Sequence, residues 1–274
     1  MSMRNDKTRK QAARERLRAE RERQARKDRI RRQLIAGGAL LAALAAAGGL
    51  ALAFRGQGDD GWTQDAKKNK LVKPANTAGP QGTTITIGKA DAKNTLTLYE
   101  DPRCPGCAQF EQNVGERVQQ DIRKGSYRAS FHLGTFLDGR LGGSGSKNAV
   151  SALGAALDVS PDAFLHYKEA LYSKRYHPEE TGPDDFADDD YLIRVADSVP
   201  ALKGNAAFRK AVRAGTYDRW AVEVSEAFNP SGGPIVTPTV KLNDTVLGED
   251  GPQGKVAPRT PEDFSAMVEE AAES

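Results

Sequence analysis

From Gly82 onward, apolar and polar positions alternate, then recur at helical spacing, then alternate again. Thr83–Ile87 (TTITI) and Thr95–Tyr99 (TLTLY) are β-branched with period two, which predicts two strands joined by a turn over Lys89–Asn94. Beyond a loop at Asp101–Cys107, Phe110, Val114, Val118 and Ile122 recur every four residues. They predict a helix with one apolar face, which Gly125 ends. Tyr127–Leu133 (YRASFHL) alternates again and predicts a third strand. Strand, helix and strand in that order predict a βαβ unit.

A long helical region follows. Lys147–Leu157, Pro161–Ser173, Asp184–Ser198, Asn205–Ala214 and Thr216–Phe228 all carry helical periodicity. Ser160 before Pro161 has the form of an N-cap followed by a first-turn proline. Tyr217, Trp220, Val224 and Phe228 line one face of the last helix; Phe164, Lys168 and Leu171 mark a face of another, with the lysine at its edge. These stripes read as ordinary core. Ile235–Leu242 and Thr245–Leu247 predict two short strands about the turn Asn243-Asp244, and Pro261–Ala272, capped by Thr260, predicts a closing helix.

The N-terminal fifth has a different pattern. Leu34 to Phe54 is an uncharged run rich in Ala, Gly and Leu. At about 1.5 Å per residue, a helix of that length spans roughly 30 Å, the thickness of a bilayer core. Residues 1–33 hold 14 Lys/Arg against 5 Asp/Glu, whereas the rest holds 26 against 32, so the bland formal charge of +3 hides a basic tail on an acidic body. Arg29, Arg31 and Arg32 precede the apolar run, and this Lys/Arg excess predicts a cytoplasmic tail and a body outside the membrane. Ala51-Leu52-Ala53 has the small residues of a signal-peptide cleavage site, but the long basic region and the long apolar run favour an uncleaved anchor. The tail has no aromatic stacking residue and no nucleic-acid motif, so it reads as a juxtamembrane segment near anionic lipid and not as a DNA- or RNA-binding arm. Residues 55–81, rich in Gly, Asp, Lys, Asn and Pro, read as a flexible linker.

The two cysteines of the chain exclude a disulfide-dense scaffold and a self-contained four-cysteine zinc site. Both fall in Cys104-Pro105-Gly106-Cys107, after a predicted strand and at the start of a predicted helix. That is the setting of a redox dithiol. Unpaired backbone N–H groups and the dipole at a helix start favour an anion at Cys104, and the thiolate is the attacking species. Cys107 lies one turn on and can reach the same sulfur. Pro105 suits the first turn, where no N–H is needed. A structural disulfide closing so small a loop would remove little chain entropy. His132, His166 and His177 stand at no usual zinc spacing, although a metal bridged between two chains stays open.

The run TLTLYEDPRCPGCAQFEQ resembles the active-site segment of the DsbA-like branch of thioredoxin-fold proteins. Ile235-Val236-Thr237-Pro238-Thr239-Val240 resembles the segment in which that fold places a cis-proline opposite the dithiol. The resemblance implies an α/β thioredoxin-like domain over 82–274 with a helical insertion at about 142–228, preceded by the transmembrane helix and the basic tail. It implies a thiol–disulfide oxidoreductase with site residues Cys104, Pro105, Gly106, Cys107, Thr237 and Pro238. No metal or organic cofactor is called for. The implied partners are exported proteins with cysteines and a membrane quinone-linked reoxidant, as in membrane-tethered actinobacterial relatives. The Pro-Gly dipeptide departs from the Pro-His of strongly oxidising relatives and the Gly-Pro of thioredoxins, so oxidase, reductase and isomerase all stay open. A non-enzymatic envelope-tethered module on the same scaffold is the other class. Glu100 and Asp101 are both candidates for a buried proton-transferring acid and both readable as solvated loop carboxylates; His132 reads as a strand histidine.

Overall fold

A computed structural model describes residues 61–79, 82–228, 236–252 and 254–273. The expected basic tail (1–33) and apolar span (34–54) lie outside the described residues. Among the described residues, no helix is long and apolar enough to cross a membrane.

The predicted βαβ unit is present. Strand β2 (Thr84–Ile87) and strand β3 (Thr95–Glu100) precede a helix whose first segment is α2 (Pro105–Phe110); it passes through a π-helical turn at Glu111–Gly115 into α3 (Glu116–Lys124). Gly125 terminates it at φ 85°, a conformation glycine adopts freely. Strand β4 (Arg128–Leu133) returns parallel to β3, with Leu98 opposite Phe131 and Glu100 opposite Leu133. Strands β5 (Thr239–Leu242) and β6 (Thr245–Leu247) extend the sheet antiparallel, and with the short edge strand β1 (Thr77–Ala78) the order is β1-β2-β4-β3-β5-β6. Alternation decides the faces. Leu96, Leu98 and Glu100 with Phe131 and Leu133 are buried, while Thr97, Tyr99 and His132 on the other face are half-buried. The helix α10 (Pro261–Glu273) packs on the dithiol helix, with Phe110 and Phe264 edge to face.

Between β4 and β5 lie α4 (Phe136–Leu141), α5 (Gly145–Val159), α6 (Pro161–Tyr172), α7 (Asp189–Ala196), α8 (Ala206–Arg213) and α9 (Asp218–Ala227). Ser160 caps α6 by accepting the Ala163 N–H at 3.0 Å. The insertion joins the sheet through Phe164 against Phe131. Trp220 is fully buried and donates its indole N–H to the Gly82 carbonyl at 2.7 Å.

Three expectations are corrected. Residues 61–78 are not a linker: Gly61–Lys68 forms helix α1, with Ala66 buried and Trp62 packed on the core, and Thr77–Ala78 forms β1, an edge strand on β2. Asp158 of α5 accepts the Ala75 N–H at 2.9 Å and fastens this segment to the insertion. Too few apolar residues recur here for periodicity to register, and tertiary contacts supply the order. The helix expected from Asp184 starts at Asp189, because Asp188 caps it and Asp185–Ala187 forms a separate 3-10 turn. The strand expected from Ile235 begins at Thr239 among the described residues, and a short hairpin, β7 (Glu249–Gly251) with β8 (Gly254–Val256), was not anticipated.

Candidate active site

Cys104 is the N-cap of α2, and Pro105 occupies the first helical position. The cap arrangement turns the Cys107 N–H toward the Cys104 sulfur, N to Sγ 3.4 Å. The Thr237 hydroxyl lies 3.3 Å from the same sulfur, and the Thr237 carbonyl lies 3.5 Å from it. The Thr237–Pro238 peptide is cis. Gly106 leaves room for that approach: a Cβ there would stand 3.2 Å from Pro238 Cδ. All six residues singled out in the sequence therefore meet at one point, although Thr237 and Pro238 lie at least 130 positions beyond the dithiol. Both cysteines carry free thiols here and are buried, Cys107 completely.

The two thiols are pushed apart in acidity. A hydrogen bond from the Cys107 thiol lowers the pKa of Cys104; burial opposes it, and the Thr237 hydroxyl and the Cys107 N–H reinforce it. Burial drives the Cys107 thiol well above its ordinary value, and its hydrogen bond to Cys104 and the charge of Glu100 add to that. One sulfur is prepared to be a nucleophile and the other to hold a proton.

Glu100 and Asp101, left open between buried acid and loop carboxylate, are both fully buried. Burial raises Glu100 to about 7, against the opposing charge of Lys168. Burial raises Asp101 to about 7 as well, against hydrogen bonds from Ser146, Leu137 and Arg103. Lys168, expected at the edge of a helix face, is instead 2% exposed and pairs with Glu111 at 2.6 Å and Glu100 at 3.1 Å. Its ammonium also lies 5.0 Å from the Tyr172 ring centre. A cation in phase with Phe164 and Leu171 was the available signal for a buried partner.

A second charged cluster escaped the sequence reading. Arg103, next to Cys104, pairs with Asp138 of α4 at 3.1 Å and with Asp184 at 3.3 Å. Asp138 also pairs with Lys147 at 3.3 Å and accepts backbone N–H groups of Ser146 and Lys147 at the start of α5. Nothing local marks these residues, because they meet only when the insertion folds back on the dithiol loop. His132 stacks on Tyr99 on the opposite face of the sheet and takes no part.

A family model described as Thioredoxin matches residues 80–270. Disulfide bond formation protein D of Bacillus subtilis is 26% identical over 162 residues, 59% of this chain and 68% of that protein. Serine/threonine-protein kinase PknE of Mycobacterium tuberculosis is 26% identical over 161 residues, 56% of this chain; the match spans only 28% of the kinase. Among solved structures, the reduced disulfide bond oxidoreductase DsbG of Mycobacterium tuberculosis is similar with a TM-score of 0.57 and 26% identity, over 72% of this chain and 90% of that one.

Proposed function

The chain belongs to the thioredoxin family, in its DsbA-like branch, and we propose that it is an extracytoplasmic thiol–disulfide oxidoreductase, anchored by residues 34–54, that exchanges disulfides with exported cysteine-containing proteins. The observation that carries the reading is the placement of Cys104 as the cap of a helix start, with the Cys107 N–H 3.4 Å and the Thr237 hydroxyl 3.3 Å from its sulfur.

In the oxidising direction the protein starts with the Cys104–Cys107 disulfide. A client thiolate attacks Cys104 Sγ, forming a mixed disulfide, and the Cys104–Cys107 bond breaks. The departing Cys107 sulfur holds a proton strongly, and the buried carboxyls beside it, with pKa values raised to about 7, are suited to give one up. A second client thiolate attacks the client sulfur of the mixed disulfide. Cys104 leaves as the thiolate, stabilised by the Cys107 N–H and the Thr237 hydroxyl. The client has lost two electrons and the protein dithiol has gained them. The reverse sequence reduces or isomerises a client. Thr237 presents its backbone beside Cys104, where an extended client segment can pair with it. Oxidation of the next client requires a reoxidant, and a quinone-linked membrane partner fits the proposed location.

Cys104→Ser should abolish exchange, and Cys107→Ser should accumulate mixed disulfides with exported proteins on non-reducing gels. Recovery of no such adducts from cells carrying Cys107→Ser would overturn the proposal.

A further inference from the structure

The dithiol loop is not enclosed by the thioredoxin half alone. Asp101, three residues before Cys104, has no exposed surface. One of its oxygens, Oδ1, accepts the Arg103 N–H at 3.0 Å and the Ser146 hydroxyl at 2.7 Å; Oδ2 accepts the Leu137 N–H at 3.0 Å. Two of these donors are backbone amides. The third is a side chain from the first turn of α5, in the helical insertion, and it too is fully buried. Its place is fixed from below: Asp138 Oδ1 accepts the Ser146 N–H at 2.8 Å and pairs with Arg103, while Oδ2 accepts the Lys147 N–H at 2.9 Å. The start of α5 is thereby held against the segment that carries Cys104.

We propose that Ser146 is a positioning residue of the redox centre: its hydroxyl, delivered by the insertion, sets how tightly Asp101 holds a proton and, through the charge of Asp101, how readily Cys104 ionises. The inference rests on the thiol–disulfide reading above and deepens it. A hydroxyl donating to a carboxylate favours the ionised form, so its loss leaves Asp101 protonated to higher pH. A charged Asp101 opposes a charged Cys104, so the same loss makes Cys104 more acidic. The other groups facing Asp101 stay in place. Its own segment contributes Glu100, Arg103 and the two thiols. Asp138 of α4 opposes its ionisation, and Lys147 of α5 is paired to Asp138. Tyr172 of α6 donates its hydroxyl to the Asp101 carbonyl at 3.1 Å. From the loop after α6, His177 stacks on Tyr172 and Asp184 pairs with Arg103.

The sign separates this role from simple loosening. Water entering the site would bring both groups toward their ordinary values, with Asp101 falling and Cys104 rising. Loss of the hydroxyl alone moves each the other way. The test is Ser146→Ala in the full-length reduced protein in detergent micelles, with Ser146→Gly as a second variant should alanine fail to fold. The control is Ser151→Ala on the same helix, whose buried hydroxyl donates instead to Asp218 at 2.7 Å. Cys104 is followed by thiolate absorbance and Asp101 by the infrared band of its protonated carboxyl. The expected result is an Asp101 midpoint raised by about one pH unit, the worth of one hydrogen bond. The Cys104 midpoint falls in the same samples, and the Ser151 variant titrates as wild type. Unchanged midpoints, movement of both toward ordinary values, or the same shifts in Ser151→Ala would overturn the inference. A wild-type protein that exchanges no disulfide would instead overturn the parent reading.

Discussion

Asp101→Asn offers the sharpest test of the buried acid. The folded protein holds the Asp101 proton up to about pH 7, whereas an unfolded chain releases it near the ordinary value of 3.8. The acid therefore stabilises the fold fully below about pH 4, and that contribution is lost as pH rises toward 7. About three pH units at 1.36 kcal/mol each amount to about 4 kcal/mol. Asparagine has no charge to bury, so it escapes that loss. It carries a cost of its own at every pH: either orientation of its amide turns an NH2 toward the Arg103 or the Leu137 N–H, at about 1–3 kcal/mol. The two terms have opposite sign and only one depends on pH. Urea unfolding of the reduced proteins at a series of pH values should find Asp101→Asn less stable than wild type near pH 4.5 and more stable near pH 8. Titration of the thiols and of Glu100 contributes to both proteins and largely cancels in the difference. A stability gap that stays constant across this range, or widens against the variant as pH rises, would refute the burial argument.

Three further substitutions probe the surrounding geometry. Lys168→Met strands Glu100 and Glu111 without their cation and should cost about 3–5 kcal/mol at pH 8, read as a lower Tm, and less at pH 5, where Glu100 keeps its proton. Thr237→Ala removes the hydroxyl beside Cys104 and should raise its pKa by about one unit in an ultraviolet thiolate titration. Gly106→Ala places a methyl 3.2 Å from Pro238 Cδ and should slow exchange with a model dithiol peptide several-fold, while helix propensity offsets up to about 1 kcal/mol of any strain in the unfolding midpoint.

The legible parts of this chain are those in which a local rule and the tertiary structure agree. The alternation in TLTLY and YRASFHL placed β3 and β4 because each strand buries one face, and the four-residue recurrence from Phe110 to Ile122 survives the π turn at Glu111–Gly115. The dithiol was legible because both cysteines stand at a strand–helix junction. Thr237-Pro238 was legible only through resemblance, since three prolines crowd that stretch and nothing local distinguishes one of them. The charged residues were not legible. Glu100 continues the buried alternation of Leu96 and Leu98, yet a carboxylate in that phase is ambiguous until the lysine that meets it is known. Lys168 lies 68 positions away, and Ser146 and Asp138 lie across a crossover that only folding closes. Likewise α1 and β1 owe their order to Asp158, to the Lys67–Glu226 ion pair with α9 and to the β2 edge, not to any period of their own.

These interactions also bear on why a redox domain of this kind contains a helical insertion. In the exchange proposed above, a negative charge forms on Cys107 in a place from which water is excluded, so the charge must be neutralised where it forms. Glu100 and Asp101, consecutive at the end of β3, are both held near pH 7, the range in which a proton can be given and taken back at little cost. Burial alone would push both acids higher and leave them permanently protonated. Charge and hydrogen bonding from elsewhere bring them back: Lys168 of α6 acts on Glu100, and Ser146 of α5 acts on Asp101. Both side chains belong to the insertion. The thioredoxin half carries the sulfurs and the acids, and the insertion carries groups that tune those acids. The insertion thus borders the dithiol segment through Lys168 and Ser146 as well as packing on the sheet, and changes in its packing should register in the acidity of the dithiol.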